Sequence, residues 1–298
     1  MDEPRLKIAL QKSGRLTEPS VDLLVRCGLK LSRGKDQLIG FGENMPLDVL
    51  FVRDDDIPDL VQEDVCDLGL VGLNVLEEKR LELAAHGHTA RFQSVRTLDY
   101  GRCRLSLAVP EGFSWSGIES LHGRRIATTY PYLLERYLRE HELRADIVTL
   151  SGAVEIAPRL GRADLICDLV STGSTLQANH LREVATILES HAVLIRTPLD
   201  LAPQKHDWAQ RLLMRIDGVQ QVRESKYIML HAPRAALAQI RQLLPGSESP
   251  TIIPLEGSPD RVAVHAVCRE NVFWETLESL KQAGASALLV LPVEKMLA

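Results

Sequence analysis

The sequence of 298 residues has few cysteines, and they form no recognisable motif. They are odd in number and lack the Cys-x-x-Cys spacing that is typical of structural zinc sites and redox pairs. This pattern argues against a disulfide framework and against structural zinc, and it favours reduced thiols in a cytoplasm. The cysteines are Cys27, Cys66, Cys103, Cys167 and Cys268.

The chain also lacks an excess of basic residues and a long apolar run. Its net charge of −5 argues against general binding of nucleic acid. No apolar run approaches the length of a membrane span, and the start at residues 1–4 is acidic, so neither a signal peptide nor a membrane anchor is expected. With 45% hydrophobic residues, the chain can bury ordinary cores, and its length suits about two or three domains.

The most informative stretch runs from Ala163 to Leu176. A short apolar segment containing Asp168 predicts a buried strand, the residues 171–175 (Ser-Thr-Gly-Ser-Thr) predict a turn, and residues 176–182 have helix-forming composition. A strand, a hydroxyl-rich turn and a helix gather free N–H groups around an anion, and Gly173 permits close approach of the backbone. Because Asp168 can accept hydrogen bonds from sugar hydroxyls, the stretch predicts a ribose-phosphate site. A plain turn with a helix N-cap is the alternative.

A second candidate anion site lies near the N-terminus. A strand at residues 6–10 is followed by a turn at residues 11–16 and by a helix at residues 18–27. The turn offers Lys12, Arg15 and the free N–H groups of a helix start, with Arg15 suited to a forked contact with phosphate. Two solvated cations beside a helix cap are the alternative.

A cluster of charges follows the predicted strand at residues 47–52. Arg53 is placed as a cation facing phosphate, and it is followed by the acids of residues 54–56. The acids are compatible with a magnesium site or with a helix N-terminus, where acids suit the dipole and Pro58 suits the first turn. His86 and His88 have no other candidate metal ligands nearby, so they are interpreted as part of a surface loop.

The middle of the chain repeats the alternation of strands and helices. Strands are predicted at residues 104–109, 123–129 and 146–150, and helices at residues 130–141 and from about Val154 onward. Glu155 and Arg159 are four residues apart on that last helix, so a surface ion pair is the alternative to a role of Glu155 in a cleft.

This alternation predicts an α/β protein with doubly wound, parallel sheets. Two lobes joined by crossings near residues 100 and 190 resemble the hinge of periplasmic binding proteins, and ligands sit in the cleft between such lobes. Residues 1–100 and 190–224 form the predicted lobe I, and residues 101–189 form lobe II.

The remaining residues, 225–298, follow the order β-α-β-β-α-β, which is typical of a ferredoxin-like domain. They contain no phosphate turn and no acidic cluster. A dimerisation module or a lid is the interpretation from the residues alone.

Several blocks, in order, resemble the ATP phosphoribosyltransferase family, which performs the first step of histidine biosynthesis. The resemblance covers nearly the whole chain, including the C-terminal piece that is found only in the long form. The blocks are residues 10–16, residues 52–58, residues 67–72, residues 155–176 with Glu155, Gly161, Asp164 and Asp168, and residues 224–227.

The resemblance implies specific ligands and residues. 5-Phosphoribosyl 1-diphosphate is expected at Asp168, Ser171, Thr172, Gly173, Ser174 and Thr175, with Asp168 and Glu155 as catalytic carboxylates. ATP is expected at Lys12, Gly14, Arg15 and Arg53.

The resemblance also implies feedback inhibition by histidine in the C-terminal domain, near Tyr227, His231, Thr251 and Leu255, and a homo-oligomer, from dimer to hexamer. Mg²⁺ is expected because a pyrophosphate leaving group carries high charge, but no ligands are assigned to it. A non-catalytic two-lobed binding protein and an inactive regulatory subunit are the alternative functions.

Overall fold

The computed structural model describes residues 4–222, 225–244, 249–294 and 296, excepting the side chains of residues 270–273. The predicted block residue Glu224, the predicted break at residues 245–246 and the first three residues of the acidic N-terminus lie outside this part of the chain. The chain divides into two compact units, Met1–Ala209 and Gln210–Ala298. No helix in the described ranges has the length and apolar character needed to span a membrane.

The first sheet of the N-terminal unit has seven strands in the order β2-β3-β4-β1-β5-β12-β6. With its helices it is called the first lobe. β1 is parallel to β4 and to β5, whereas β12 is antiparallel to both of its neighbours. The elements are β1 (Leu6–Gln11), α1 (Thr17–Arg26), β2 (Leu31–Ser32), β3 (Ile39–Gly42), β4 (Leu47–Val52), α2 (Ile57–Gln62), β5 (Leu68–Gly72), α3 (Leu73–Ala85), β6 (Gln93–Thr97) and β12 (Ala192–Arg196).

The second sheet has five strands in the order β11-β7-β10-β8-β9 and, with its helices, forms the second lobe. β10 is parallel to β8 but antiparallel to β7. The chain passes between the two sheets at residues 98–102 and again at His191. The elements are β7 (Cys103–Pro110), β8 (Arg125–Thr128), α4 (Pro131–Glu140), β9 (Asp146–Thr149), β10 (Leu165–Val170), α5 (Ser174–Ala178) and β11 (Leu181–Ser190).

The two faces of the second sheet have different cores, and this difference positions the site. One face packs leucines such as Leu105, Leu107 and Leu165 against α4. The opposite face carries several smaller side chains, including Ala108 and Ala127, under the segment that contains α5. Each fully buried leucine contributes roughly 1.5–3 kcal/mol through removal of its surface from water, so β10 is fixed on both faces and its carboxyl end is held in place.

The C-terminal unit contains a four-stranded antiparallel sheet in the order β14-β15-β13-β16. The predicted order β-α-β-β-α-β is confirmed. The boundary between the two compact units falls within α6 (Pro203–Gln221). The elements of the sheet are β13 (Ser225–Pro233), α7 (Leu237–Leu243), β14 (Thr251–Leu255), β15 (Ser258–Arg269), α8 (Glu270–Gln282) and β16 (Ser286–Pro292).

The fold class is as predicted, a pair of α/β lobes of periplasmic-binding-protein type with a ferredoxin-like domain, but several local predictions are wrong. Each lobe has a mixed sheet with antiparallel strands rather than a purely parallel sheet. The predicted helix at residues 176–182 ends at Ala178, because His180 adopts a left-handed backbone with φ of 55°. The predicted helix beginning near Val154 is only a 3₁₀ turn, Val154–Ile156. The hairpin β2–β3 and strand β11 were not predicted.

Candidate functional site

The predicted anion turn lies at the carboxyl end of β10. Gly173 has φ of +84°, a left-handed conformation that glycine adopts without strain, and the chain enters α5 immediately afterwards. The hydroxyl oxygens of Thr172 and Ser174 are 3.0 Å apart. Strand, glycine turn and short helix therefore follow one another in the predicted order, but the helix begins at Ser174, inside the predicted turn.

The backbone amides of this turn are available to a ligand. Within the described loop, the N–H groups of Thr172, Gly173 and Thr175 donate no hydrogen bond to a protein carbonyl, and the amide of Ser174 has only a long contact of 3.4 Å with Oγ1 of Thr172. Unpaired donors at a helix start are satisfied by water or by an anion. The turn thus presents several donors in a few residues.

Asp168 lies near the end of β10, four residues before Thr172. It is half-buried, faces Ser106 across the antiparallel pair β10–β7, and accepts a hydrogen bond from the backbone N–H of Leu169 at 2.8 Å. Burial raises the pKa of its carboxyl group, and the nearby carboxylate of Glu155 raises it further. The two carboxylates are thus close enough to influence each other electrostatically.

Glu155 follows a left-handed residue, Ala153, in the 3₁₀ turn after β9. It lines a cavity of about 450 Å³ together with Arg159 and His180. The ion pair between Glu155 and Arg159 that a continuous helix would favour is not among those of the described residues. Neither Asp168 nor the turn at residues 171–175 lines this cavity, although the charge of Glu155 contributes to the raised pKa of Asp168.

The turn after β1 lies at the corresponding edge of the first lobe. Gly14 has φ of +132°, and a Cβ atom there would lie 2.7 Å from Nε2 of Gln11. Gln11 holds the turn, because it accepts the N–H of Leu16 and donates to Asp54. Lys12 is exposed at the tip of the turn.

Arg15 is directed back toward the protein by two contacts. It donates to the carbonyl oxygen of Gly101 at 2.9 Å and lies 3.4 Å from Oδ1 of Asn74. Both partners belong to segments near the passage between the lobes. Arg15 is nonetheless exposed, so its remaining N–H groups can meet an anion.

The acids after Arg53 form a helix start. Residues Asp54–Asp56 make a 3₁₀ turn that leads into α2 with Pro58 in its first turn. Among the described residues, no group of three or more His, Cys, Asp or Glu side chains is arranged to hold a metal ion. The helix N-terminus is therefore the interpretation that the geometry supports for these acids.

A cleft of about 540 Å³ opens between the two lobes. Arg53 and Lys79 line it from the first lobe, and Thr129, Tyr130 and Ser151 line it from the second lobe. The Tyr130 pKa is raised by burial, and the charges of Asp54 and Asp168, from opposite lobes, add to that effect. Of the predicted site residues, Arg53 lines this cleft, whereas Lys12, Arg15 and the turn at residues 171–175 do not.

The family models match this chain over most of its length. Residues 53–218 match the model of ATP phosphoribosyltransferase, HisG, and residues 223–295 match the model of the HisG C-terminal domain. The chain belongs to the HisG family. The family acts in histidine biosynthesis and uses ATP and 5-phosphoribosyl 1-diphosphate as substrates.

Solved structures give the same result for the HisG fold. The chain is similar to the ATP phosphoribosyltransferase (HisG:HisZ) complex from Thermotoga maritima, with 27% identity and a TM-score of 0.57 over 71% of this chain and 98% of that chain. It is less similar to the alkanesulfonate-binding protein SsuA from Xanthomonas axonopodis pv. citri, with 17% identity and a TM-score of 0.48 over 73% of each chain. A protein from Xanthomonas citri bound to ATP, XAC2383, has 15% identity and a TM-score of 0.48 over 74% of this chain and 84% of that chain.

In the HisG C-terminal domain, three of the predicted histidine-site residues share one face of the sheet. The hydroxyl of Tyr227 is hydrogen-bonded to Nδ1 of His265, and Thr251 pairs with His265 across β14–β15. His231 lies on the same face of β13, two positions beyond Met229, which also pairs with His265. Leu255 lies farther along β14, beyond an irregularity in the pairing. Sequence reasoning missed His265, which the pairing places between Tyr227 and Thr251.

Sequence reasoning also missed Asn74, a buried residue that joins the lobes of this HisG chain. Its Oδ1 accepts from the hydroxyl of Ser190 at 2.8 Å, and its Nδ2 donates to the hydroxyl of Tyr130 at 2.9 Å. Its backbone N–H also reaches Ser190. The nearest signal in the sequence was the glycine turn at Gly72, just before it, which gives no indication of these distant partners.

Proposed function

We propose that this chain transfers the phosphoribosyl group of 5-phosphoribosyl 1-diphosphate to a ring nitrogen of the adenine of ATP and releases pyrophosphate. The proposal rests on the backbone N–H groups of Thr172, Gly173 and Thr175, which have no protein acceptor in the part of the chain that the structure describes. They follow the half-buried carboxyl group of Asp168 in the chain. Amides suit the 5′-phosphate, and a carboxylate suits the ribose hydroxyls.

The first lobe supplies the groups for the second substrate. Lys12, Arg15 and Arg53 lie at or near the carboxyl ends of the paired strands β1 and β4, where Gln11 faces Val52. This placement brings the three cations to one edge of the first sheet, where Asp55 pairs with Arg53 at 3.6 Å. We assign these cations, with the backbone of Gly14, to the triphosphate of ATP, and the cleft that Arg53 lines to the path between the substrates.

The chemistry needs alignment and charge stabilisation more than a strong base. A ring nitrogen has a lone pair, so no proton must leave before it attacks the anomeric carbon. As pyrophosphate leaves, positive charge develops on the ribose, and the negative charge of Asp168 or Glu155 can stabilise it. Burial raises the pKa of Asp168, and the negative charge of Glu155 raises it further, so the site disfavours additional negative charge and favours the positive charge that develops on the sugar.

We include Mg²⁺ in the proposal. Magnesium in such sites usually has one or two carboxylate ligands, with substrate phosphates and water supplying the rest. The pair Asp168 and Glu155 fits that donor set, whereas a complete cage of protein ligands is not present in the described residues. When bound, the ion would supply charge neutralisation to the leaving pyrophosphate.

Regulation and assembly complete the proposal. Histidine is proposed to inhibit the enzyme from the face of the C-terminal sheet that carries Tyr227, His231 and Thr251, with Leu255 at its margin. A homo-oligomer, from dimer to hexamer, and a cytoplasmic location are proposed with it. The five buried free cysteines support a reducing location.

A coupled assay of pyrophosphate release tests the function. Release is expected only when ATP, 5-phosphoribosyl 1-diphosphate and Mg²⁺ are all present, and added histidine is expected to lower the rate. Asp168→Ala is expected to reduce turnover by more than about tenfold, because it removes a contact to the developing charge. Failure of the wild-type enzyme to release pyrophosphate would reject the transfer reaction, and an unchanged rate in the variant would reject the role of Asp168.

A further inference from the structure

We propose that Arg104 is a positioning residue for the phosphate turn, the predicted anion turn at residues 171–175, which it orients through the carbonyl group of Ser171. This inference rests on the proposed function. Arg104 lies on β7 and pairs with Val170, the last residue of β10, so its side chain begins beside the start of the turn. Nη1 of Arg104 lies 3.4 Å from the carbonyl oxygen of Ser171. No sequence motif pointed to this residue.

A second set of contacts, with Glu183, holds the guanidinium group of Arg104 in place. Its Nε and Nη2 each lie 2.5 Å from one carboxylate oxygen of Glu183, on the neighbouring strand β11. The hydroxyl of Ser106 donates to the same carboxylate at 2.8 Å. A forked pair with an additional hydrogen bond fixes the plane of the guanidinium group, and therefore the direction of Nη1.

Because the peptide bond is planar, the direction of the Ser171 carbonyl group also determines the direction of the N–H group of Thr172. In a trans peptide the C=O of one residue and the N–H of the next point in opposite directions. Holding the carbonyl of Ser171 toward Arg104 therefore turns the N–H of Thr172 away from it, and that N–H has no protein acceptor in the described loop. Arg104 thus determines which way one of the phosphate donors points.

Orientation, rather than charge, is the contribution of Arg104. Its charge is balanced by Glu183, and the hydrogen bond from Arg104 holds the pKa of the Glu183 carboxyl group below its usual range. The pair stays ionised at neutral pH, so it offers the phosphate little net positive charge. A lysine keeps the charge but lacks the planar fork, so charge and orientation can be separated by mutation.

The second lobe contains a matched control for this arrangement. Arg125, at the start of β8, also contacts a carboxylate, that of Asp164 at 3.2 Å, and a backbone carbonyl, that of Gly161 at 3.0 Å. It lies beside the start of β10, at the end opposite the turn. Arg125→Met removes the same kinds of contact from the same lobe without touching the phosphate turn.

The test compares steady-state kinetics of Arg104→Met and Arg125→Met. Arg104→Met is expected to raise KM for 5-phosphoribosyl 1-diphosphate by about tenfold, because a hydrogen bond to a charged group is weakened. Its KM for ATP and both KM values of Arg125→Met are expected to stay within about twofold of wild type. Equal effects on both substrates in Arg104→Met, or equal effects of the two variants, would mean a general structural role and would overturn the proposal.

Two further variants keep the proposal testable if Arg104→Met folds poorly. Arg104→Lys is expected to recover little of the lost affinity, and recovery of wild-type KM would show that charge alone is sufficient. Glu183→Gln removes the anchor but keeps the shape, and it is expected to raise KM for 5-phosphoribosyl 1-diphosphate. A fall in that KM would show that the freed guanidinium binds phosphate directly, which overturns the positioning role.

A binding measurement separates this proposal from the function on which it rests. Ribose 5-phosphate titrated into the wild-type chain by calorimetry reports on the turn without any reaction. If the wild type binds it but releases no pyrophosphate with both substrates, the proposed function fails, and weaker binding by Arg104→Met still supports the positioning role. If the wild type is active and Arg104→Met binds ribose 5-phosphate normally, only the positioning role fails.

Discussion

The carboxylate of Glu78, on α3 of the first lobe, accepts a hydrogen bond from the backbone N–H of Tyr132, at the start of α4 in the second lobe, at 2.8 Å. Its other oxygen accepts the N–H of Leu133 at the same distance. These amides are among the unpaired donors of the first turn of α4, so one lobe caps a helix of the other. Burial raises the pKa of Glu78 to about 7. The lobes are therefore joined through a carboxyl group that changes charge near neutral pH.

The first prediction is a dependence of stability on pH that originates at Glu78. The folded carboxyl group releases its proton at about 7 and the unfolded one at 4.5, so between these values the folded state holds more protons. The free energy of unfolding therefore falls as pH rises through this window. Glu78→Gln stays neutral and lacks this fall, which is expected to amount to on the order of 2 kcal/mol after allowance for solvent screening. Thermal unfolding of both proteins at about pH 5 and about pH 8 measures the difference.

A second substitution on α3 provides the control. Glu82 lies one turn beyond Glu78 and pairs with Lys79 at 3.1 Å, without a contact to α4 among the described bonds. Glu82→Gln removes a charge of the same sign from the same helix, and it is expected to keep most of the fall, because burial contributes more than the charge of Glu82 to the raised pKa of Glu78. Parallel stability curves for Glu78→Gln and the wild type would contradict the assignment of the pH effect to Glu78.

The phosphate turn was predictable from the sequence because its determinants are local. Gly173 supplies the left-handed backbone, the small hydroxyl residues supply the turn, and Asp168 precedes them on the strand by a fixed spacing. Each of these properties depends on neighbours within a few residues. The C-terminal β-α-β-β-α-β order was predictable for the same reason, because its strands and helices have ordinary lengths and the breaks between them are marked by the local sequence.

The contacts between the lobes could not be predicted in the same way. Asn74 and Ser190 are 116 residues apart in the chain, and no local pattern marks either as a partner. Strand β11 escaped prediction because two irregularities in its pairing with β7, after Glu183 and after Thr186, interrupt the two-residue alternation. Arg104 and Glu183 depend on that strand, so the residues behind the phosphate turn could be found only in the structure.

Asn74 is predicted to be the most sensitive polar residue at the passage between the lobes. It is 1% exposed, and Asn74→Ala leaves the hydroxyl groups of Ser190 and Tyr130 without this partner. A loss of about 2–4 kcal/mol in unfolding free energy is expected from buried groups left unsatisfied. Urea denaturation measures it, and Asn44→Ala, at an exposed asparagine that bonds the backbone of Gly28 and Lys30, is the control. Equal losses in the two variants would show that burial at Asn74 is unimportant.

Asp168 is predicted to lower stability while supporting activity. Burial raises its pKa in the folded state, so its ionised form is disfavoured by folding, and its cost is fully present above the raised pKa. Asp168→Asn is therefore expected to raise Tm at neutral pH while lowering turnover by more than about tenfold.

Asp164, just before β10, serves as the control, because the pKa of its carboxyl group is shifted in the opposite direction from that of Asp168. The hydrogen bond from the backbone of Arg125 holds the pKa of its carboxyl group below the usual range, so its stabilisation is present at neutral pH and is lost as pH falls. Asp164→Asn should lower Tm at neutral pH and leave turnover unchanged. A fall in Tm for Asp168→Asn would contradict the proposed conflict between stability and function.

Gly173 tests whether the shape of the turn sets affinity for the sugar phosphate. A Cβ atom at this position would meet nothing within 4 Å, so Gly173→Ala adds no clash, and its cost is the left-handed backbone with φ of +84°. That strain is about 1–2 kcal/mol for an alanine, and relaxing it rotates the amides of the turn. KM for 5-phosphoribosyl 1-diphosphate is expected to rise by about tenfold. Gly161→Ala, with φ of +70° and equally open space, carries the same strain at the other end of β10. Both variants should lose similar stability in urea, so a KM that rises equally in both would show that strain in the lobe, and not the turn itself, controls binding.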